Sequence, residues 1–257
     1  MKVARTHSFR GFTLVETAIA MAIVAVMISA FMVVFGPAVT GIKKSISAKE
    51  ATRLSDALEH ELSVVRAGEL DTVADDNDAD FVSAFEKAYY WIRDSTTKAT
   101  AVLIYQYRGD PDSVRSDGTL EPYTGNGTIP GVDYVIQTAV RRLSDAALVS
   151  DDLEPGVLEG KVYYVRMTQL VYSDTGEMEV AGQNGAPGGP GQIIDPTEDG
   201  SGNRDNVTNH AEYPEAVLAF QAQFYALPNV LYDYIDATWA VANPGTLVIT
   251  KNMAVTR

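Results

Sequence analysis

Ala18 to Phe35 is apolar at every position except Ser29, and few folds in water can hide a run of that length. A helix of about 20 apolar residues spans the roughly 30 Å hydrocarbon core of a bilayer. The segment therefore predicts a membrane-spanning helix. Glu16 is one carboxylate at its edge. Such a group costs about 2–3 kcal/mol at the bilayer centre and less near an end, so it predicts a partner. Lys2, Arg5 and Arg10 precede the run without an acid, and Lys43, Lys44, Lys49 and Arg53 follow it. With the basic residues nearly balanced, flanking charge does not orient the span.

Gly11-Phe12-Thr13-Leu14-Val15-Glu16, between the basic leader and the apolar run, resembles the amino terminus of type IV prepilins and type II secretion pseudopilins. The resemblance covers about Met1 to Val39. It implies a cytoplasmic leader, cleavage after Gly11 by a prepilin peptidase and methylation of the new terminal Phe12. It also implies pairing of Glu16 with the terminal amine of a neighbouring subunit. The competing reading is an ordinary secretory signal with a cut after Ala38, at the small-x-small pattern Gly36-Pro37-Ala38. The run is long for such a signal, and Glu16 has no role in one.

Cleavage after Gly11 leaves 246 of the 257 residues, enough for one sizeable domain beyond the anchor. The chain carries −14, and the leader accounts for +3 of that, leaving −17 on residues 12–257. So acidic a chain repels polyphosphate, and no nucleic acid is expected as a partner. There is no cysteine. Many type IV pilins close a C-terminal loop with a disulfide, and this chain departs from that pattern.

Phe12 to Arg66 reads as one long helix, interrupted by Gly36-Pro37 and Gly41, where a bend or a melted turn is expected. Past the break, Val39, Ile42, Ile46, Ala51, Leu54, Leu58, Leu62 and Val65 form a stripe that predicts one covered face. Phe81 to Asp94 reads as a second helix. A compact apolar run at 101–107, period-two alternation around 132–140, 163–171 and 218–224, and a last candidate strand at 247–255 predict antiparallel strands with one wet face. The expected fold is α+β and pilin-like: a long N-terminal helix, membrane-spanning first and amphipathic after, packed on an antiparallel sheet. Its divisions are a leader (1–11), a membrane or filament-core helix (12–38), an amphipathic extension (39–67) and a globular domain (68–257). Within the last lies a glycine-rich loop (181–211), long enough to suggest function or disorder.

Signals for chemistry are few. His7, His60 and His210 lack metal-ligand spacing, and neither a nucleophile elbow nor a phosphate-cradling loop is present, so no enzyme is expected. No cofactor is required by any motif. Calcium is the one candidate ion. Asp76, Asp78 and Asp80 alternate as oxygen ligands can, and Asp195, Asp199 and Asp205 form a second acidic group. The first is no EF-hand, because Phe81 and Lys87 stand where glycine and glutamate belong. The aromatic groups Tyr89-Tyr90-Trp91, Tyr163-Tyr164 and Tyr225, Tyr232, Tyr234, Trp239 read mainly as core.

The resemblance implies a structural subunit of a type II secretion pseudopilus or type IV pilus. It would be held in the inner membrane by one span, with its C-terminal domain periplasmic or extracellular, and its partners would be the peptidase and other subunits. The length suggests a minor pseudopilin or minor pilin. Glu16 disfavours the K-type pseudopilin, which typically lacks it, and leaves a J-type pseudopilin or a W-type minor pilin. The alternative is an adhesive module on a pilin anchor, binding a glycan or surface through loop 181–211 and exposed aromatics.

Overall fold

The computed structural model describes residues 13–66, 81–173, 175–184, 186–197 and 204–257. It divides into two compact units, Met1–Ser47 and Ala48–Arg257. Helix α1 (Leu14–Leu62) runs through both.

In the first unit, Leu14–Val39 has a mean hydropathy of 2.8, with none of it buried. Those 26 residues extend about 39 Å as a helix, more than a hydrocarbon core requires. Phe31 stacks on Phe35, ring centroids 4.0 Å apart. The expected melted turn is absent, because the helix continues through Pro37. A proline withdraws its own amide from the ladder and crowds the carbonyl four residues back, and the rest of the long helix on both sides runs on past that local cost. The predicted stripe is covered along only part of its length. Leu54, Leu58 and Leu62 are buried, whereas Val39, Ile42 and Ile46 are 49 %, 59 % and 62 % exposed. The helix also stops short of Arg66, ending at Leu62, where the Ser63 amide donates to His60 O at 3.1 Å.

The second unit is built on an antiparallel sheet. Helix α2 (Ala84–Asp94) leads into β1 (Val102–Val114), β2 (Leu120–Pro122) and β3 (Val135–Arg142). Helix α3 (Ala146–Asp152) precedes β4 (Leu158–Tyr172) and the short β5 (Met178–Val180), β6 (Ile193–Ile194) and β7 (Asn206–Val207). After these come β8 (Val217–Ala226), helix α4 (Tyr232–Ala237) and β9 (Thr246–Thr256). The strand order is β2-β1-β4-β8-β9, with β3 also on β1 and β5 on β4. Every pairing between these strands is antiparallel. In β4, Gly160 takes a φ of +82° beside a register shift against β1. A Cβ there would come within 3.1 Å of the Glu50 carboxylate, which accepts a bond from Tyr163 Oη at 2.9 Å.

Strand alternation sorts the core onto two faces. Val102, Ile104, Val165, Met167, Phe220 and Phe224 pack with α1 and α2. Leu103, Tyr105, Tyr107, Val162 and Tyr164 pack on the other side with Val149 of α3 and Ile235 of α4. The single wet face expected from the sequence is therefore half covered. Helices of seven and six residues are too short to register as periodicity, and they cap that face. Its remainder is polar: Arg166 donates to Gln223 at 2.6 Å, and Gln221 to Asn252 at 3.2 Å. The aromatics are core, with Tyr89, Tyr163 and Tyr164 at 0 % exposure and Trp91 and Trp239 at 2 %.

Loop 181–211 is tied down where it is described. Strands β6 and β7 pair, and Ile193, Ile194 and Val207 are buried. The Gln169 side chain donates to Ile194 O at 2.9 Å and accepts from Ile194 N at 2.8 Å. Tyr89 Oη donates to Val207 O at 2.8 Å.

Leu58→Ala is expected to cost about 2–5 kcal/mol, while Ile46→Ala changes stability by no more than about 0.5 kcal/mol. Thermal unfolding of both variants in detergent, followed by near-ultraviolet circular dichroism, checks this; equal losses would contradict the partial covering of the stripe.

Candidate assembly site

Thr13 and Glu16 close the N-terminus of α1 on each other. The Thr13 amide donates to Glu16 Oε2 at 3.3 Å, and the Glu16 amide donates to Thr13 Oγ1 at 3.2 Å. This reciprocal pair is a capping box, and a threonine three residues ahead of a glutamate before an apolar run is its sequence signature. Glu16 thus has a partner within its own chain, where the family resemblance implies one only on a neighbouring subunit. The cap contributes about 0.5–2 kcal/mol to helix formation, and a carboxylate in the first turn also suits the helix dipole. Only Oε2 is engaged: among the described residues, nothing donates to Glu16 Oε1. Gly11 and Phe12 lie outside the described residues. The amide that Glu16 accepts belongs to Thr13, which in the sequence is the second residue after the predicted cut.

Residues 6–32 match the family model of the prokaryotic N-terminal methylation motif. The chain has the prepilin-type N-terminus of the type IV pilin and pseudopilin family. The match extends from the leader into the exposed apolar helix. No curated protein and no solved structure matches the chain. A motif of this kind implies processing by prepilin peptidase and assembly with other pilin subunits. The single long apolar helix is consistent with anchoring in the inner membrane.

The acidic groups predicted as calcium ligands are only partly within view. Asp76, Asp78, Asp80 and Asp199 lie outside the described residues. Asp195 and Asp205 are neighbours at the end of the β6–β7 ribbon, where the Asp195 amide donates to Asp205 O at 2.9 Å. Asp195 Oδ1 is occupied by the Thr197 amide at 2.7 Å and hydroxyl at 2.5 Å. Among the described residues, no three acidic, histidine or cysteine side chains converge as a metal site would require.

Two buried charge clusters went unread in the sequence, because their members come from separate elements. In the first, Asp152 is 0 % exposed and accepts from Arg115 Nη1 at 2.8 Å and Tyr105 Oη at 2.9 Å. Arg141 Nε lies 3.7 Å from Asp152, and its guanidinium also binds Asp117 at 2.5 Å and Thr119 at 2.8 Å. Burial pushes the Asp152 carboxyl up, against the pull of both arginines. Burial acts on Asp117 in the same sense, but bonds from the Thr119 hydroxyl, Arg141 and the Thr119 amide outweigh it and hold its pKa at about 2. In the second cluster, fully buried Lys87 donates to Glu61 Oε1 at 2.7 Å and Val64 O at 3.1 Å. It joins α2 to the end of α1. Burial raises the Glu61 carboxyl, and Arg66 and Lys87 together bring it below its ordinary value. Both clusters pair acids with bases, although Arg115 Nη2 and Arg141 Nε are buried without a hydrogen bond, and the pairing suits bracing rather than proton transfer.

Asp117 makes the acid response specific. Its folded pKa lies below the ordinary 3.8, so its stabilisation is complete above about pH 4 and drains away as the pH falls toward 2. An acid titration of unfolding should show Asp117→Asn less stable than the parent at pH 6 and nearly equal at pH 2. A constant difference across that range would contradict the assignment.

Proposed function

We propose that this protein is a structural subunit of a type II secretion pseudopilus or type IV pilus. Prepilin peptidase cleaves it after Gly11, and it assembles through its N-terminal helix. The observation that carries this reading is an exposed apolar helix, Leu14–Val39, whose first turn is capped by the carboxylate of Glu16. Before cleavage Leu14–Val39 anchors the chain in the inner membrane, with the sheet domain on the periplasmic side. Cleavage gives Phe12 a cationic amine. Glu16 Oε1, without a donor among the described residues, accepts from the amine of the adjacent subunit while Oε2 keeps its cap. Apolar packing supplies most of the association energy, and the ion pair chiefly fixes register, since its Coulomb gain is largely offset by desolvation.

A minor-subunit position follows from the bulk of the sheet domain, which contributes residues 48–257 to every copy placed in a filament. The adhesive alternative loses its aromatic face, because the aromatic groups it relied on are mostly buried.

The charge and the cap of Glu16 can be separated. Glu16→Gln retains an oxygen for the Thr13 amide and loses the charge, whereas Glu16→Ala loses both. Both variants should insert in the membrane normally and be impaired at least about tenfold in filament incorporation, the equivalent of about 1.4 kcal/mol. Quantifying sheared filaments against membrane fractions checks this. Normal incorporation of Glu16→Gln would refute the pairing role and leave Glu16 a cap alone.

A further inference from the structure

Among the described residues, strand β9 ends the sheet, with β8 on one side and no strand on the other. Its free edge can be assigned residue by residue. The Arg257 amide donates to Ala216 O at 2.8 Å, and the register runs from Val217↔Thr256 to Phe224↔Ile249. Bonded pairs alternate in an antiparallel ladder. Ile249, Lys251, Met253 and Val255 thus bond to β8, while Thr250, Asn252, Ala254 and Thr256 turn their amides and carbonyls outward. Among the described residues, no backbone group meets these.

Long open edges are normally blunted by proline, an outward lysine or a bulge. Thr246–Thr256 has no proline. Its register shift falls at Val248, near the start of the strand, and leaves Ile249–Thr256 regular. Lys251 does not guard the edge, because its ammonium is held over the sheet by Ser55 Oγ at 3.1 Å and Asp56 Oδ1 at 3.0 Å on α1.

A groove of about 460 Å³ continues from Ala254–Thr256 to α1 and the start of α2. Its floor is Leu62, Ala84 and Val255, and its rim is Asp56, Glu59 and His60. The side chains of Asp56 and Glu59 are 70 % and 63 % exposed, and Lys251 is the one cation shared between them. Backbone groups that give affinity thus lie beside a pocket that reads side chains, the two parts of strand addition.

We infer that β9 takes up an extended basic segment of a partner chain as an added strand, with cationic side chains toward Asp56 and Glu59. A second copy of this chain fits less well. Self-pairing would bring two acidic rims and two chains of net charge −14 together, which the summed field opposes.

The test uses the full chain in detergent micelles and a fluorescent peptide of alternating valine and lysine, about ten residues long, at low ionic strength. Fluorescence anisotropy should show saturable binding, with none by the valine–glutamate counterpart. Ala254→Pro removes an outward amide and no bond to β8, so the sheet is retained and affinity falls roughly tenfold or more. Asp56→Asn with Glu59→Gln, which leaves the backbone untouched, should also weaken binding. The inference is overturned if the valine–lysine peptide does not bind, if it binds both variants as tightly as the parent, or if sedimentation shows a dimer that Ala254→Pro abolishes.

Discussion

An exposed apolar helix is the constraint to which everything else answers. Among the described residues, Leu14–Val39 has no buried share, and no second apolar face in its own unit closes over it. Such a surface requires lipid or like helices around it. The Thr13–Glu16 cap sets where this helix begins and stations a carboxylate at the entrance of the apolar run. In lipid an uncapped terminus and an unpaired acid would each be costly. One pair of residues therefore caps the helix in the single subunit, and the proposed pairing with a second subunit would use the remaining oxygen of Glu16.

The sheet domain obeys a separate logic. It is closed on one face by α1 and α2 and on the other, over half its area, by α3 and α4. Buried charge takes part in both closures: Glu61 and Lys87 join two helices, and Asp152 with Arg115 and Arg141 joins α3 to β1 and β3. Such clusters are costly to break by halves, and they fix how the elements register more than they add to total stability.

Much of this was legible in the sequence where a local pattern sufficed. The apolar run, α2 and the five long strands follow from composition and periodicity, and the motif at Gly11–Glu16 from its resemblance to prepilins. The unread features depend on contacts between distant residues or on elements too short for a period. Helices α3 and α4 look like loop sequence, and the pairing of Ile193 with Val207 lies inside a glycine-rich connection. Pro37 and Gly41 overstate the interruption of α1, because the surrounding helix is continuous. The capping box was readable and overlooked, since Thr13-Leu14-Val15-Glu16 carries it openly. For Ile42 and Ile46 the stripe was real and its covering was not, a distinction periodicity cannot draw.

The most direct measurement of the central claim is the intact mass of the protein isolated from its native membranes. Prepilin processing predicts the mass of Phe12–Arg257 with one added methyl group. A mass beginning at Val39 would identify a secreted domain freed from a signal sequence, and an unprocessed chain beginning at Met1 would identify a plain membrane anchor. Either would contradict assembly through a cleaved and methylated N-terminus.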